Sequence, residues 1–374
     1  MSHEVKNSDI LIVGGGVIGL LSAYFLQKEG AEITILDKAE VGKESSWAGG
    51  GILSPLYPWR YADPVNQLSS YSQKHYQQLC SELEKVTGIS PQWLQSGLLM
   101  LDCDDDSSAI QSWTNTFQKK LTKLTASQLQ DYEPQIGSGY TQGIFQNDVA
   151  QIRNPWLVRS MKSYLISKKV RFIENTTIKK IETSRQKVTG VSCESNTYQA
   201  DKVIIASGAW SSLFPEMKML DVRPVMGQMI LFKTEPQWLK RIVMHNGKYV
   251  IPRADGHILC GSTIEWNGYQ KHTSEKVREE LHAAAIRMIP GLKAVPIIKQ
   301  WSGLRPGSPN GVPYIGEHPD ISGLYANTGH YRYGVVMGLA SAQLMADIIT
   351  GKESFIDKSL FALTAKREPT AEFA

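Results

Sequence analysis

A glycine pattern near the amino terminus is the clearest candidate for binding chemistry in the sequence. Gly14, Gly16 and Gly19 form the pattern G-x-G-x-x-G, and Asp37 follows at the end of the next apolar run. Glycines let a pyrophosphate approach the backbone at the first turn of a helix, where free N–H groups and the helix dipole favour negative charge. A carboxylate at the position of Asp37 accepts hydrogen bonds from ribose hydroxyls. The spacing predicts a dinucleotide site, and a glycine-rich turn without a ligand is the alternative.

Arg305 and Tyr249 are the candidates for holding a substrate. Arg305 stands between Gly303 and the pair Pro306-Gly307, and its planar guanidinium suits bidentate capture of a carboxylate. Tyr249 precedes a predicted turn and offers a phenolic hydrogen bond to the same carboxylate. On the pattern alone, a surface ion pair for the arginine and a core-edge position for the tyrosine remain open.

The sequence indicates neither a metal site nor a nucleophilic triad. The eight histidines show no H-x-x-x-H spacing, none pairs with a cysteine at ligand spacing, and there is no G-x-S-x-G elbow. A bound organic cofactor would then supply the difficult chemistry, while the protein supplies orientation and charge.

The elements around the first glycines match a dinucleotide-binding unit. Residues 10–13 are an apolar run typical of a strand buried on both faces. Apolar residues recur at helical spacing from Leu20 to Leu26, Gly30 ends the pattern, and a second strand is predicted over residues 31–36. This order of strand, glycine turn, helix and strand predicts the beginning of a Rossmann-like fold.

A second cluster of small residues indicates which dinucleotide the chain holds. Residues 45–54 read Ser-Ser-Trp-Ala-Gly-Gly-Gly-Ile-Leu-Ser. An NAD domain has no need of this segment, whereas an extended FAD needs a second backbone-lined surface, with the hydroxyls of Ser45 and Ser46 as donors. The segment therefore predicts FAD. A flexible linker is the alternative, although Trp47 and Ile52 supply apolar anchors that linkers lack.

The middle of the chain alternates between helix and strand patterns. Residues 65–86 predict a long amphipathic helix, and the acidic run of residues 102–106 is interpreted as a solvated loop. Apolar runs at residues 171–174 and 202–206 predict that the dinucleotide domain resumes there after an insertion. Residues 222–232 and 249–263 predict antiparallel strands, the latter region forming a hairpin around Asp255-Gly256.

The last informative segment is a glycine-bounded turn that leads into an apolar helix. Residues 327–334 read Asn-Thr-Gly-His-Tyr-Arg-Tyr-Gly, and the helix is predicted over residues 335–349. The start of this helix presents a second positive end, which is useful beside the pyrimidine ring of an isoalloxazine because reduction places negative charge there. An ordinary loop–helix junction is the alternative.

These patterns predict an α/β protein with two interleaved domains. A Rossmann-like FAD-binding domain is expected over residues 5–88, 150–220 and 303–360. An α+β substrate domain built on an antiparallel sheet is expected over residues 89–149 and 221–302.

Composition excludes several other classes of protein. Forty Lys and Arg residues against 36 Asp and Glu residues give a net charge of +4, too small and too evenly spread for a nucleic-acid-binding protein. The longest uncharged apolar stretch, residues 10–26, is shorter than a membrane span and is interrupted by glycines. Residues 1–9 do not resemble a secretory signal, and the four cysteines are far apart, so a cytoplasmic location is expected.

Five blocks of the sequence, taken together, resemble the D-amino-acid oxidase family of flavoproteins. Within that family the resemblance is greatest to the bacterial glycine oxidases associated with thiamine biosynthesis, and it extends from Asp9 to about Gly351. The blocks that carry the resemblance are residues 42–52, Pro224-Val225-Met226-Gly227-Gln228-Met229, Tyr249-Val250-Ile251-Pro252-Arg253, Gly303-Leu304-Arg305-Pro306-Gly307-Ser308 and Gly329-His330-Tyr331-Arg332.

The resemblance implies a site residue by residue. Tyr249 and Arg305 would hold the substrate carboxylate and act as the catalytic pair, and Arg332 would lie on the substrate side. The backbone of Ile178 would meet the adenine, and we add Gly208, in the turn after residues 202–206. The other residues expected to bind the cofactor are Gly14, Gly16, Val17, Ile18, Gly19, Asp37, Lys38, Ser45, Ser46, Gly50, Gly51, Ile52, His330, Tyr331, Arg332, Tyr333, Gly334, Val335 and Val336.

The resemblance also implies the reaction. The family fold is the glutathione-reductase and D-amino-acid-oxidase type, with noncovalent FAD, and no cysteine follows Cys260 to form a carboxy-terminal thioether. Glycine, sarcosine or a small D-amino acid would be oxidised by O₂ to glyoxylate or a 2-oxo acid, ammonia or an amine, and hydrogen peroxide, and homo-oligomers are common.

Some features of the reaction remain open at this stage. Tyr333 departs from the smaller polar residue often found in relatives, which leaves the pocket volume undecided. The alternatives are a flavin dehydrogenase with another electron acceptor and a flavin-dependent tRNA-modifying module.

Overall fold

The computed structural model describes residues 8–370 and residue 373. The first seven residues, which belong to the segment expected to carry no secretory signal, lie outside the described residues. The strands of the described part are β1 (Ile10–Val13), β2 (Ile33–Leu36), β3 (Leu94–Gln95), β4 (Leu98–Leu101), β5 (Thr122–Thr125), β6 (Gln142–Gln146), β7 (Ala150–Gln151), β8 (Arg171–Ile173), β9 (Lys180–Ser184), β10 (Lys187–Ser192), β11 (Thr197–Gln199), β12 (Lys202–Ile205), β13 (Arg223–Lys233), β14 (Ile242–His245), β15 (Lys248–Pro252), β16 (His257–Gly261), β17 (Ile297–Gly307), β18 (Tyr314–Glu317) and β19 (Leu324–Thr328).

The helices vary in length from one turn to seven. They are α1 (Val17–Lys28), α2 (Ser45–Ala48), α3 (Asp63–Thr87), α4 (Ser107–Phe117), α5 (Ala126–Tyr132), α6 (Asn154–Ser167), α7 (Glu275–Met288) and α8 (Gly334–Thr350). Within the described residues, none of these helices combines the length and the apolar character that crossing a bilayer requires.

A six-stranded sheet carries the predicted glycine motif. Its order is β18-β19-β12-β1-β2-β8, and all neighbours are parallel except β18. β1 and β2 are buried along their whole length because hydrophobic clusters cover both faces of the sheet. Helices α1 and α8 belong to one of these clusters, and the three-stranded sheet β11-β10-β9 contributes to the other. The parallel sheet between two packed layers confirms the predicted Rossmann-like architecture.

An eight-stranded, mostly antiparallel sheet forms the second body of structure. Its order is β17-β13-β16-β15-β14-β4-β6-β5. Side chains alternate between its faces: Val250 packs toward α7, while Tyr249 and Ile251 belong to a cluster on the other face. The long ladder between β13 and β17 sets Val225 opposite Arg305, so strand pairing positions the candidate arginine.

The predicted elements correspond closely to the observed ones. The helix expected at residues 65–86 is α3, the hairpin around Asp255-Gly256 is β15–β16, and the carboxy-terminal helix is α8. Strand β17 runs past residue 302 to Gly307, so Arg305 is part of the eight-stranded sheet. The division into two domains remains a proposal.

Candidate functional site

A cavity of about 1020 Å³ is lined by residues from both larger sheets. Tyr249, Arg305 and Arg332, the predicted substrate residues, all line it. Every predicted cofactor residue lines it as well, with the exception of Gly19. The structure therefore gathers residues that are more than 300 positions apart into one continuous space. The predicted nucleotide-binding residues and the predicted carboxylate-binding residues line the same cavity.

Gly19 is needed for packing and not for lining the cavity. A Cβ atom at this position would lie 2.0 Å from the carbonyl oxygen of Gly14, so only glycine lets α1 approach the turn that precedes it. Gly14 itself has φ +112°, and a Cβ there would lie 2.4 Å from the carbonyl oxygen of Ala206. These close approaches hold the start of α1 against the ends of β1 and β12.

The start of α1 provides donors for an anion. The N-cap residue, Gly16, has no side chain to cap the helix, and the N–H of Val17 donates to Oγ of Ser46 at 2.8 Å. Because the Ser46 oxygen accepts this bond, its own hydroxyl proton is available to a ligand. Ser45 behaves differently, since its hydroxyl donates to the carbonyl of Leu304. Ser45 also lines the cavity, and its role as a donor to a pyrophosphate stays a prediction.

Asp37 is fixed by the backbone on both of its oxygens. One oxygen accepts from the N–H of Gly15 at 2.7 Å, and the other accepts from the N–H of Ala39 at 2.9 Å. Burial raises the pKa of Asp37, although both backbone hydrogen bonds oppose this shift. A carboxylate oxygen has more than one lone-pair site, so the side chain retains acceptor capacity toward the cavity for hydroxyl donors.

The small-residue segment after Ser45 is a structured wall and not a flexible linker. Residues 45–48 form α2, the N–H of Ile152 donates to Gly51 at 2.9 Å, and the N–H of Leu53 donates to Ala150 at 2.9 Å. Gly51 has φ +75°, and a Cβ atom on it would lie 2.1 Å from the carbonyl oxygen of Ile152. The alternative of a linker is excluded by this pairing.

The end of the cavity near Asp37 has a flat aromatic surface and a cation. Nζ of Lys38 lies 3.1 Å from the centroid of the Trp210 ring and 3.4 Å from a carboxylate oxygen of Glu44. Ile178 and Gly208 line the same region, and a Cβ atom added to Gly208 would meet nothing within 4 Å. An aromatic heterocycle has room to lie here.

The segment before α8 forms the wall of the cavity opposite α2. Helix α8 begins at Gly334, and its N-cap residue Tyr333 makes no side-chain capping bond. His330 is buried, and its Nε2 lies 2.7 Å from Oγ of Ser341, whose hydroxyl donates to Asn327 at 2.6 Å. Because the Ser341 hydroxyl donates to Asn327, Nε2 of His330 must carry the proton that is donated to Ser341. Burial lowers the pKa of His330 to about 3.

Arg305 is held by oxygen acceptors of the protein backbone and one hydroxyl. Its Nη1 donates to the carbonyls of Met226 and Thr263 at 3.3 and 3.1 Å, and Nη2 donates to Oγ of Ser262 at 2.7 Å. No carboxylate of the described chain lies within ion-pairing distance of this guanidinium. Burial lowers the pKa of Arg305, with Tyr249 opposing that shift and Arg332 adding to it, but a guanidinium stays charged.

The free donors of Arg305 match a carboxylate. Three of its five N–H groups are used, and the two that remain lie on Nε and Nη2, which form one edge of the guanidinium fork. Gly227 makes room for this arrangement, because a Cβ atom there would lie 2.3 Å from both Nη atoms. The site is thus a half-buried cation in the cavity wall, with a planar pair of donors and no acidic partner among the described residues.

Tyrosine rings surround this cation. Tyr249 and Tyr333 are both almost fully buried, and both lie close enough to Arg305 to influence its pKa. The Tyr333 hydroxyl accepts from the N–H of Leu56 at 3.3 Å, and its ring meets the ring of Tyr61 edge to face at 4.8 Å. Tyr333 therefore lines the cavity with a large aromatic ring, and its effect on the substrate range stays a prediction.

Three lining segments were not predicted from the sequence. Tyr57 adopts φ +53° and precedes a short 3₁₀ helix that brings Arg60 to the cavity. Asp105 binds Arg60 with 2.7 Å and 2.9 Å contacts, so the interpretation of residues 102–106 as a solvated loop is wrong for that residue. Ser262, which follows β16, and the residues around Asn246, which precede β15, also line the cavity. Their positions at the ends of these strands are the only sign in the sequence that they belong to the site.

The residues present fit FAD. The glycines at the start of α1 leave the space that a pyrophosphate requires, Asp37 accepts hydroxyl donors, and the walls formed by α2 and α8 are apolar and backbone-lined. None of the four cysteines lines the cavity, which agrees with the expectation of a noncovalent cofactor.

Comparison with known proteins agrees with this fit. The family model described as FAD dependent oxidoreductase matches residues 9–348. The chain is 43% identical to a glycine oxidase of Pseudomonas putida over 95% of this chain and 98% of that protein. It is 29% identical to a bifunctional protein ThiO/ThiG of Synechocystis over 91% of this chain and 51% of that protein. A solved structure of glycine oxidase from Geobacillus kaustophilus, 26% identical, superposes with a TM-score of 0.91 over 97% of this chain and all of that one.

The neutral state of His330 predicts a pH-dependent stability. In the folded chain the second ring nitrogen of His330 gains a proton only near pH 3, whereas an unfolded histidine gains it below about pH 6.5. The folded state is therefore destabilised relative to the unfolded state as the pH falls from about 6.5 toward 3. Between pH 7 and pH 5 the apoprotein should lose about 2 kcal/mol of unfolding free energy through this group. The glutamine of His330→Gln can still donate to Ser341 but does not titrate. The loss of unfolding free energy between the two pH values should therefore be smaller in this variant by about 2 kcal/mol.

Urea unfolding of both apoproteins at the two pH values measures this difference. Comparing the two variants removes the contribution of other groups, including His245, whose pKa is also lowered by burial. An identical pH dependence for both proteins would contradict the assignment of a buried neutral His330.

Proposed function

The chain belongs to the FAD dependent oxidoreductase family and is an FAD-dependent amino-acid oxidase, and from that premise we propose that it oxidatively deaminates glycine and other small amino acids. Sarcosine and small D-amino acids are the other substrates proposed. The observation that carries the proposal is the half-buried guanidinium of Arg305 in the cavity wall, which has two donors free and no carboxylate partner within the described residues.

The cofactor supplies the redox chemistry and the protein positions both reactants. When bound, FAD would supply the acceptor for a hydride from the substrate Cα–H and the means of passing its electrons to O₂. The start of α1 and Ser46 would hold its pyrophosphate, and Asp37 would accept from a ribose hydroxyl. The start of α8, with residues 330–336, would enclose its flavin end.

Arg305 would clamp the substrate carboxylate through its Nε and Nη2 protons. Each such charge-assisted bond contributes about 1.5–3 kcal/mol. Tyr249 would donate its phenolic proton to the same carboxylate, since its ring and hydroxyl lie next to Gly50 and Gly261 at this end of the cavity. Two independent attachments would fix the orientation of the Cα–H bond. Such positioning can supply a large part of the lowering of the activation barrier.

The acidic residues of the cavity are both engaged elsewhere and do not offer a general base. Within the described chain, the acids that line it are Asp37 and Glu44. Asp37 is bound by two backbone N–H groups, and Glu44 pairs with Lys38 and Lys271, so both are engaged near the start of α1. We propose that the substrate ammonium loses its proton to water before hydride leaves.

The aromatic side chains favour a small substrate. Tyr333 and Tyr249 lie near the cation, Tyr61 packs against Tyr333, and a bulky Cα substituent would meet these rings. Glycine gives glyoxylate, ammonia and hydrogen peroxide, whereas sarcosine gives methylamine in place of ammonia. The relationship to ThiO/ThiG supports a role in thiamine biosynthesis, and assembly into homo-oligomers remains a prediction.

The function is tested with purified holoenzyme and a panel of amino acids. Under anaerobic conditions glycine should bleach the visible absorbance of FAD, and in air one hydrogen peroxide should form per glyoxylate. Glycine, sarcosine and D-alanine should react faster than D-phenylalanine. Bleaching without peroxide in air would indicate a dehydrogenase with another acceptor, and no bleaching by any small amino acid would contradict the proposal.

Arg305→Met removes the carboxylate clamp while keeping a side chain of similar length. The loss of two charge-assisted bonds should raise the KM for glycine at least 100-fold, or about 2.7 kcal/mol. The visible spectrum of bound FAD should remain. Steady-state kinetics over a wide range of glycine concentration measures this change, and an unaltered KM would remove Arg305 from the site.

Gly227→Ala tests the same clamp without changing any charge. The new methyl group would overlap the guanidinium and push it from its position, so we expect a rise in KM for glycine of roughly ten- to 100-fold with little change in FAD content. Gly316→Ala, also in a strand, is the matched control, since its Cβ would meet its nearest neighbour at an ordinary 3.4 Å. Equal KM values for the two variants would show that Arg305 does not depend on the space at Gly227.

A further inference from the structure

A second buried arginine, Arg253, lies outside the substrate clamp. It follows β15 and is only 6% exposed. Within the described chain no carboxylate pairs with it, and the nearby acid, Asp255, is engaged by Arg153 at 2.7 Å. Burying an unpaired charge costs several kcal/mol, so the chain retains Arg253 at a cost that calls for a physical reason.

The guanidinium of Arg253 joins two segments of the cavity wall. Its Nη2 donates to the carbonyl of Gly50 at 2.6 Å, and its Nη1 donates to the carbonyl of Ile152 at 3.0 Å and to Gln151 at 2.5 Å. Gly50 and Ile152 belong to two neighbouring segments of the chain, which are joined by the hydrogen bond from the Ile152 N–H to the Gly51 carbonyl. Arg253 therefore attaches the end of the β15–β16 hairpin to the small-residue wall that follows α2.

The contact with Gly50 sets the direction of one peptide group. In a trans peptide the C=O of Gly50 and the N–H of Gly51 point in opposite directions. The carbonyl is directed at Arg253, so the Gly51 N–H is directed away from it, and no described residue accepts a hydrogen bond from that N–H. Gly51 lines the cavity, where the cofactor binds.

We propose that Arg253 is a positioning residue for the cofactor: it fixes the Gly50–Gly51 peptide so that the Gly51 N–H is presented as a donor to an acceptor atom of FAD. The charge of the guanidinium strengthens this donor, because withdrawing density from the Gly50 carbonyl polarises the whole peptide. Burial lowers the pKa of Arg253 to about 9, and it therefore remains protonated at neutral pH. The proposal depends on FAD and not on the identity of the amino acid.

The test compares three variants by their binding of FAD in the absence of substrate. Arg253→Met removes the charge and all donors, Arg253→Lys retains the charge but has no planar fork for two carbonyls, and Arg153→Met is the matched control. Arg153 bonds with Asp255 and Gln92 and does not contact Gly50 or Ile152 through its side chain. The FAD dissociation constant is measured by titrating apoprotein, and the visible circular dichroism of bound FAD reports its surroundings.

Arg253→Met should raise the FAD dissociation constant at least tenfold, or about 1.4 kcal/mol, and change the visible dichroism of bound FAD. Arg253→Lys should lie between it and the wild type, and Arg153→Met should stay within twofold of the wild type with an unchanged spectrum. A folded Arg253→Met protein with wild-type FAD affinity and dichroism would overturn the proposal. A lower unfolding midpoint with unchanged FAD affinity and dichroism would also overturn the proposal, because a purely structural role predicts that result.

If Arg253→Met does not fold, Arg253→Lys decides the question alone. Its dissociation constant should then exceed that of the wild type at least threefold, with altered dichroism, and equality in both measurements would overturn the proposal. Bleaching by glycine is not used in any of these measurements. Failure here and failure of the proposed substrate are therefore distinguishable.

Discussion

The structure depends on a half-buried cation, Arg305, that the described chain places in a cavity wall without an acidic partner. Arg305 lies against the backbone of Gly227, and carbonyl oxygens and one serine hydroxyl take up three of its five protons. Neutral acceptors orient a guanidinium but leave its charge uncompensated, and an uncompensated buried charge is costly. A substrate carboxylate would relieve that cost, so affinity for an anion is built into the folded state. The same site would disfavour a neutral ligand of equal size.

Two sheets with different tasks make this arrangement possible. The parallel sheet presents its glycine turn and Asp37 at the ends of β1 and β2, where a nucleotide binds in folds of this class. The β13–β17 ladder places Arg305 in a fixed register, and the β15–β16 hairpin brings Tyr249 and Arg253 to either side of the small-residue wall. The two sheets thereby contribute different walls of one cavity.

Local sequence was sufficient for the elements, whereas most of the lining residues were implied by the family resemblance. The glycine spacing, the alternation in β15 and the apolar run of α8 are dictated by short-range sterics and burial, which leave a periodic trace in the sequence. Contacts between distant segments leave no such trace. The sequence therefore did not show that Ser45 bonds to Leu304, that Gly19 serves packing, or that Asp105 anchors Arg60. Arg253 was noticed only as part of a family block, because its partners are backbone carbonyls that every sequence contains.

The most direct test of the central claim is the equilibrium binding of a carboxylate that cannot be oxidised as an amino acid. Glycolate and its neutral amide, glycolamide, have nearly the same size, and the change in the visible spectrum of bound FAD reports their binding to the holoenzyme. Wild-type protein should bind glycolate at least 100-fold more tightly than glycolamide, and Arg305→Met should bind both weakly and alike. Equal affinity of the wild-type protein for the two compounds would contradict a site organised around an unpaired guanidinium.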